Sequence, residues 1–483
     1  MILRKVLIAA AASFAIFAYS CKTVEPKPVA PAKPNDFLQK LALKLEKNDF
    51  DGALSLYDTL TPEEAASPQN RITKAGIYLS AGRPALAREE VNAVISSTVS
   101  PDPFNIEARY VLSVVEAAEK KLRQQRILLE DIIKDKPNFV PALNDLGRIS
   151  VEMQKNLKKA ANFYETALKA EPSNTDSLVG RSRVYRLEKK YDEALDMLNK
   201  AAAFHPKSAY VYNERGRLYR SRGALDEAIT DMDMAVKLDP NSYWYSYDRG
   251  LTLIDKNRKR EALDEFKRAT RLNPNMFMSY VYTAGISDEL GLDDEAEKSY
   301  KKIISLKPDY YFGFEGAGVH SLKKGDYSSA AYNFTQAWNY AKEETNYALL
   351  AAYSLRKADK SNSTGHKDNA AKDAARNIVN EAIKVVKRDT LDYYVLRLFS
   401  ESMGDTDVAR RVERESDGIS KVRGYFYLSC FYELSNIPAL AERYAEEFRK
   451  YDRRDLVEFR INEILHPDNN IVVKEAAPSP ALR

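Results

Sequence analysis

Small and apolar residues fall in paired triplets along the middle of the chain. Tyr212, Gly216 and Tyr219 are spaced i, i+4, i+7, and so are Ala228, Met232 and Ala235. This spacing gathers side chains on one face of an α-helix, so each stretch predicts two amphipathic helices joined by a turn. Gly223 marks the turn, with Gly291 and Gly325 at the same register further on. Pro240 closes the second helix, and Pro172, Pro206, Pro274 and Pro308 hold the same place at a 34-residue period. Proline stops a helix because it lacks the N–H donor and crowds the residue before it. The Ser, Asn or Asp beyond each proline (Asn174, Ser208, Asn241, Asn275, Asp309) is positioned to cap the next helix.

Two registers explain how such helices approach closely. Ser182, Gly216, Gly250, Ala284 and Gly318 recur on the first helix, and Ala194, Ala228, Ala262, Ala296 and Ala330 on the second. Beside the alanines stand the bulky residues Leu198, Met232, Phe266, Tyr300 and Phe334, which fill the space that small facing side chains leave. With these residues the chain resembles the tetratricopeptide repeat (TPR) family. Its signature has a small residue in the first helix, two alanines flanking an aromatic in the second, and a closing proline. The resemblance implies an all-α fold, a right-handed superhelical solenoid of antiparallel helix pairs with about eleven or twelve hairpins.

The repeat also divides the chain. Residues 139–344 are the regular array. Before it, Ala53 with Tyr57 and Ala87 with Val91 repeat the second-helix register, so residues 36–138 are read as degenerate units, one of them with Gln125 in place of alanine. After it, residues 345–466 are divergent hairpins. They are interrupted near 358–369 by a polar insertion, Lys360 to Asn369, read as an exposed loop, and Arg454 to Leu465 is read as a capping helix. Residues 467–483 are expected to be a disordered tail.

The N-terminus carries a separate message. Arg4 and Lys5 precede an apolar run from Val6 to Ala18 that is too short to span a bilayer, and Cys21 follows Ala18, Tyr19 and Ser20. This resembles a bacterial lipoprotein signal over residues 1–20, although the family usually has leucine where Ala18 stands. The resemblance implies cleavage before Cys21, lipid on its sulfur, and a protein held on a membrane of the bacterial cell envelope. The segment 21–35, with Pro26, Pro28, Pro31 and Pro34, reads as a semi-extended tether.

Chemistry-bearing motifs are sparse. Cys21 and Cys430 are the two cysteines, so no disulfide framework is expected, and Cys430 lies in an apolar run that makes it a buried small hydrophobe. The four histidines, His205, His320, His366 and His466, show no metal-ligand spacing, and there is no HExxH, P-loop or paired CxxC. Neither a metal nor a cofactor is expected, and an enzyme is not indicated. A formal net charge of +4 is too balanced to point to nucleic acid.

In proteins of the TPR family the first helices line a concave groove, and the positions not used for packing face it. Across this array those positions hold Arg148, Arg183, Arg186, Tyr210, Asn213, Arg217 and Arg220, then Trp244, Tyr247, Asp248, Met278, Tyr282 and Phe312. Forked guanidinium groups suit carboxylates or phosphates, and aromatic rings anchor apolar side chains at low entropic cost. The expectation is a scaffold for a protein or extended peptide with acidic and aromatic or aliphatic parts. A ligand-binding accessory to a transporter and a regulator of an envelope enzyme are the alternatives. Arg181, Arg215 and Arg249, where the family has leucine, are read as widening the basic zone. Val179 and Arg183 stand where the family's clamp for chaperone C-termini needs Lys and Asn, so chaperone docking is not implied.

Overall fold

The computed structural model describes residues 36–153, 155–362, 370–402, 404–416 and 418–467, without the side chains of 360–362. The signal, Cys21, the tether, the tail beyond Pro467 and most of the polar insertion lie outside these residues. Among the described residues there are 26 α-helices and a short 3-10 helix, packed in successive pairs, and no strand. They fall into two compact units divided between Gly223 and Ala224.

In the first unit the hairpins are Asp36–Glu46 with Phe50–Ser55, Pro68–Ser80 with Pro84–Ser97, Pro103–Ala118 with Leu122–Asp135, Val140–Glu152 with Leu157–Ala170, and Thr175–Leu187 with Tyr191–Phe204; Ala209–Ser221 follows. The second unit opens with Leu225–Leu238 and continues with Tyr243–Asp255 and Lys259–Leu272, Phe277–Glu289 and Asp293–Leu306, and Tyr311–Lys323 and Tyr327–Tyr340. Asn346–Asn362 with Ala370–Val385, Leu391–Glu401 with Asp405–Arg414, and Gly418–Leu434 with Pro438–Arg449 come next, and Val457–Leu465 is last.

The predicted registers form the core. Ala194, Ala228, Ala262, Ala296 and Ala330 are all fully buried, and Leu198, Met232, Phe266, Tyr300 and Phe334 are at most 2% exposed. A Cβ added to Gly250 would lie 2.8 Å from Phe266 Cζ, and one on Gly318 would lie 2.8 Å from Phe334 Cε1. In these two hairpins the small residue of the first helix is therefore the seat for the ring of its own second helix. Gly316 is tighter still, with a built Cβ 2.1 Å from Tyr300 Cζ. Alanine there gains about 1 kcal/mol of helix propensity but drives a methyl into a ring held by its hydroxyl, and overpacking costs about 1–3 kcal/mol. Gly316→Ala should therefore lower the melting temperature, where a solvent-facing helical glycine would raise it.

The turn within each hairpin needs a residue with positive φ. Gly223, Gly291 and Gly325 supply it at +77°, +68° and +71°, and the same register is filled by Lys155, Lys189 and Asn257 at +48°, +61° and +58°. The turn geometry is thus kept by the hairpin even where glycine, which carries no Cβ penalty, is absent.

Several local expectations change. Of the five proposed caps, Asn174 accepts from the backbone N–H of Ser177, Ser208 sits at the N-cap without a side-chain bond, and the next three helices each start one residue later, after Ser242, Met276 and Tyr310. The second helix of the first hairpin breaks into Phe50–Ser55 and a 3-10 turn, Leu56–Thr59. An unpredicted helix, Pro62–Ala66, follows from a reciprocal capping box between Thr61 and Glu64. Helix Asn346–Asn362 runs into the stretch read as a loop from Lys360, and the final helix begins at Val457 rather than Arg454.

Candidate functional site

Three first helices of the first unit, Val140–Glu152, Thr175–Leu187 and Ala209–Ser221, carry the arginines, and they carry carboxylates among them. Arg148 pairs with Asp145 at 3.1 Å and Glu152 at 3.2 Å. Arg183 stands between Glu152, at 3.8 Å, and Glu214, at 3.6 Å, and Arg217 reaches Glu214 at 3.1 Å. The Tyr110 hydroxyl donates to Asp145. The result is an alternating ladder of charge rather than a bare basic strip. Burial raises the Asp145 carboxyl, with Arg148 pulling the other way. Arg186 is lowered by burial and then by the neighbouring Arg217, so an anion placed beside it would relieve like-charge repulsion. Arg217 is exposed, Arg186 and Arg220 half-buried, and Tyr210 half-buried against the core cluster of Leu178, Val179 and Leu198, with its hydroxyl raised by burial. Asn213 is buried at 4% exposure; its side chain turns into the packing that the sequence reading assigned only to its neighbours.

The three arginines at the leucine register do not widen this surface. Arg181 pairs with Glu165 at 2.9 Å and lies on the Tyr185 ring, Arg215 donates to Asn199, and Arg249 pairs with Asp233 and Glu265. Each reaches a partner 16 residues earlier, on the preceding second helix. Their stems pack while their heads are held on that side.

In the second unit, Trp244 on helix Tyr243–Asp255 is 52% exposed and Met278 on helix Phe277–Glu289 is 38% exposed. The Trp244 ring is 5.0 Å from Tyr243 and 6.1 Å from Tyr247. Tyr247 and Tyr282 lean inward: Tyr282 stacks on Phe266 at 4.8 Å, and Tyr247 meets both rings edge-on. Asp248 is buried at 9% exposure. Phe312 is half-buried and stacks on Tyr311 at 4.2 Å. The aromatic surface thus has two exposed side chains, Trp244 and Met278, one repeat apart, and between them rings rooted on buried Phe266.

A third cluster was not anticipated. The last helix, Val457–Leu465, packs on Tyr311–Lys323 and Gly418–Leu434. Arg460 reaches Asp288 at 2.7 Å, and the same carboxylate takes the Tyr300 hydroxyl and His320 Nε2, both at 2.6 Å. Burial alone would raise the Asp288 carboxyl, yet Arg460, His320 and Tyr300 together hold it below its usual value. Next to it, buried Glu315 accepts from the Tyr347 hydroxyl at 2.5 Å. On the other side of the helix, Glu458, fully buried, accepts from the Tyr427 hydroxyl at 3.0 Å and lies 3.2 Å from Arg423.

Residues 37–332, more than half of the chain, match the family described as the ETO1 C-terminal domain. The chain belongs to that family. This ETO1 C-terminal domain protein is built of TPR-type repeats, as its own helix pairs show. It is similar to a tetratricopeptide repeat protein from Parabacteroides merdae, with 18% identity over 52% of this chain and 97% of that one at a TM-score of 0.41. PilF of Pseudomonas aeruginosa is 19% identical over 43% of this chain and 97% of its own, at a TM-score of 0.37. YrrB, a TPR protein with an unusual peptide-binding site, is 20% identical over 38% and 95%, at 0.30. No curated protein matches the chain significantly.

The family match stops before Tyr347, Arg423, Tyr427, Glu458 and Arg460, which complete the third cluster of this ETO1 C-terminal domain protein. Its internal pairs differ in how they could have been found. Arg148 with Glu152 and Glu214 with Arg217 stand at i, i+4 and i, i+3 on a helix, a spacing that announces an ion pair. Nothing in the repeat pattern announces that Asp288 meets Arg460.

Proposed function

We propose that this protein is an exported scaffold, anchored through lipid on Cys21 to a membrane of the bacterial cell envelope, that holds partner proteins or extended peptides on its first-helix faces. The observation that carries the partner reading is the half-exposed Trp244, set on Tyr243 and Tyr247. A ring that is rigid, rooted in a packed base and open to solvent is what interface anchors require. The charged ladder of the first unit supplies a second surface, where Arg186 and Arg217 favour an acidic segment.

The test is in-cell crosslinking and co-purification with Trp244→Ala and, separately, Arg186→Ala with Arg217→Ala. Trp244 is exposed, so its replacement should leave helical content unchanged while partner recovery falls at least tenfold. Undiminished recovery in both variants would remove the reading. The anchor has its own check: Cys21→Ala should move the protein from the membrane fraction to the soluble one and abolish incorporation of a fatty-acid label. Retention of both would refute lipidation at Cys21. A single acyl chain binds membranes only marginally, whereas two or three anchor stably.

A further inference from the structure

The final helix is held as a ligand is held. Glu458 and Arg460 are two residues apart, which on a helix of 3.6 residues per turn sends their side chains to opposite sides. Arg460 enters one wall, made by Asp288, His320 and Tyr300 with Glu315 and Tyr347 behind them. Glu458 enters the other, made by Arg423 and Tyr427. Val457 and Ile461, at 4% and 0% exposure, fill the floor between, and Phe459 meets Phe448 at 6.2 Å. A helix of nine residues is too short to persist alone in water, so the slot dictates its conformation.

We propose that this slot is a receptor site for a helical segment of a partner protein bearing glutamate and arginine in the order Glu-x-Arg, with the chain's own last helix as the resident, displaceable occupant. Three features point this way. The walls come almost entirely from first helices, Phe277–Glu289, Tyr311–Lys323, Asn346–Asn362 and Gly418–Leu434, while Tyr300 comes from Asp293–Leu306. The grip is made through buried charge pairs, which contribute selectivity more than net stability because desolvation offsets their attraction. An incoming helix with the same pair recovers what the resident gives up, so exchange is close to balanced. And the resident is joined to helix Pro438–Arg449 by residues 450–456, of which Tyr451 and Leu456 pack on the core and would be given up with it. None of the slot's residues belongs to the arginine or Trp244 sets, so its test changes neither of them.

The experiment uses the whole chain and a fluorescent peptide of residues 455–467 as the probe. Glu458→Ala with Arg460→Ala in the chain should release the resident helix. That variant should then bind the peptide at least tenfold more tightly than the unaltered chain, whose tethered helix competes at an effective concentration of about millimolar. A peptide carrying Arg460→Ala should bind the variant at least tenfold more weakly. Equal binding by both chains, or indifference to the peptide's arginine, would overturn the proposal. Should the variant misfold, amide exchange on the unaltered chain decides. Backbone amides of Val457–Leu465 should exchange at least tenfold faster than those of Tyr311–Lys323, and a common rate would make the helix a fixed part of the core. Dimerisation of the released variant through exchanged last helices would instead overturn the hetero-partner assignment in favour of a second copy.

Discussion

Asp288→Ala should destabilise the second unit by about 3–5 kcal/mol, the range for removing one partner from a buried ion pair. The carboxylate is the meeting point of Arg460, His320 and Tyr300, at 2.7, 2.6 and 2.6 Å. Its loss leaves the half-buried Arg460 without its counter-charge and two further groups without their acceptor. Asp288→Asn keeps the shape but not the charge, and should fall between the alanine variant and the unaltered protein. Urea unfolding followed by circular dichroism gives the difference, and a change under about 1 kcal/mol would show that water replaces the pair at no cost. The acid side follows from the lowered carboxyl. Its contribution is fully present above the unfolded value, ~3.9, and is lost as pH falls toward the lower folded value. The unaltered protein should therefore lose stability below about pH 4 more steeply than Asp288→Asn.

Phe266→Ala should cost a similar amount, about 3–5 kcal/mol, through the cavity it leaves. Phe266 is fully buried, seated against Gly250, stacked on Tyr282 and in edge contact with Tyr247. Glycine opposite offers no side chain to fill the void. The consequence extends to the candidate surface, since Tyr247 supports Trp244 at 6.1 Å. Thermal unfolding should therefore be accompanied by a shift in tryptophan emission, and Phe266→Leu should recover most of the stability. A surface that kept its partner affinity in Phe266→Ala would show that Trp244 does not depend on the rings beneath it.

How much was legible depended on how far apart the interacting groups lie in the chain. The Ala194 and Leu198 registers and the seat of Phe266 on Gly250 follow from spacings inside one repeat, and the burial of Cys430 at 1% exposure follows from the apolar run around it. The Arg181, Arg215 and Arg249 ladder was visible as an anomaly, but the side its heads choose was not. It is set by the acceptors Glu165, Asn199 and Asp233 on the preceding second helix. Asn213 and Asp248 were placed on an open face by register, and both are buried, because neighbouring helices close over positions that a single helix leaves exposed. Arg183 was read by register as facing the groove, whereas its position between Glu152 and Glu214 requires adjacent repeats to be stacked.

By itself the sequence determined the repeat, the hairpins, the small-against-bulky packing and the turns, because each is decided by contacts within about one period and by the geometry of a single helix. Only the tertiary structure decided which charges are paired, which polar side chains are buried, and where the last helix goes. The pair of Arg460 with Asp288 spans 172 residues, and its formation depends on the summed rotation of the intervening repeats. Small angles accumulate from one hairpin to the next, and no individual repeat records their total.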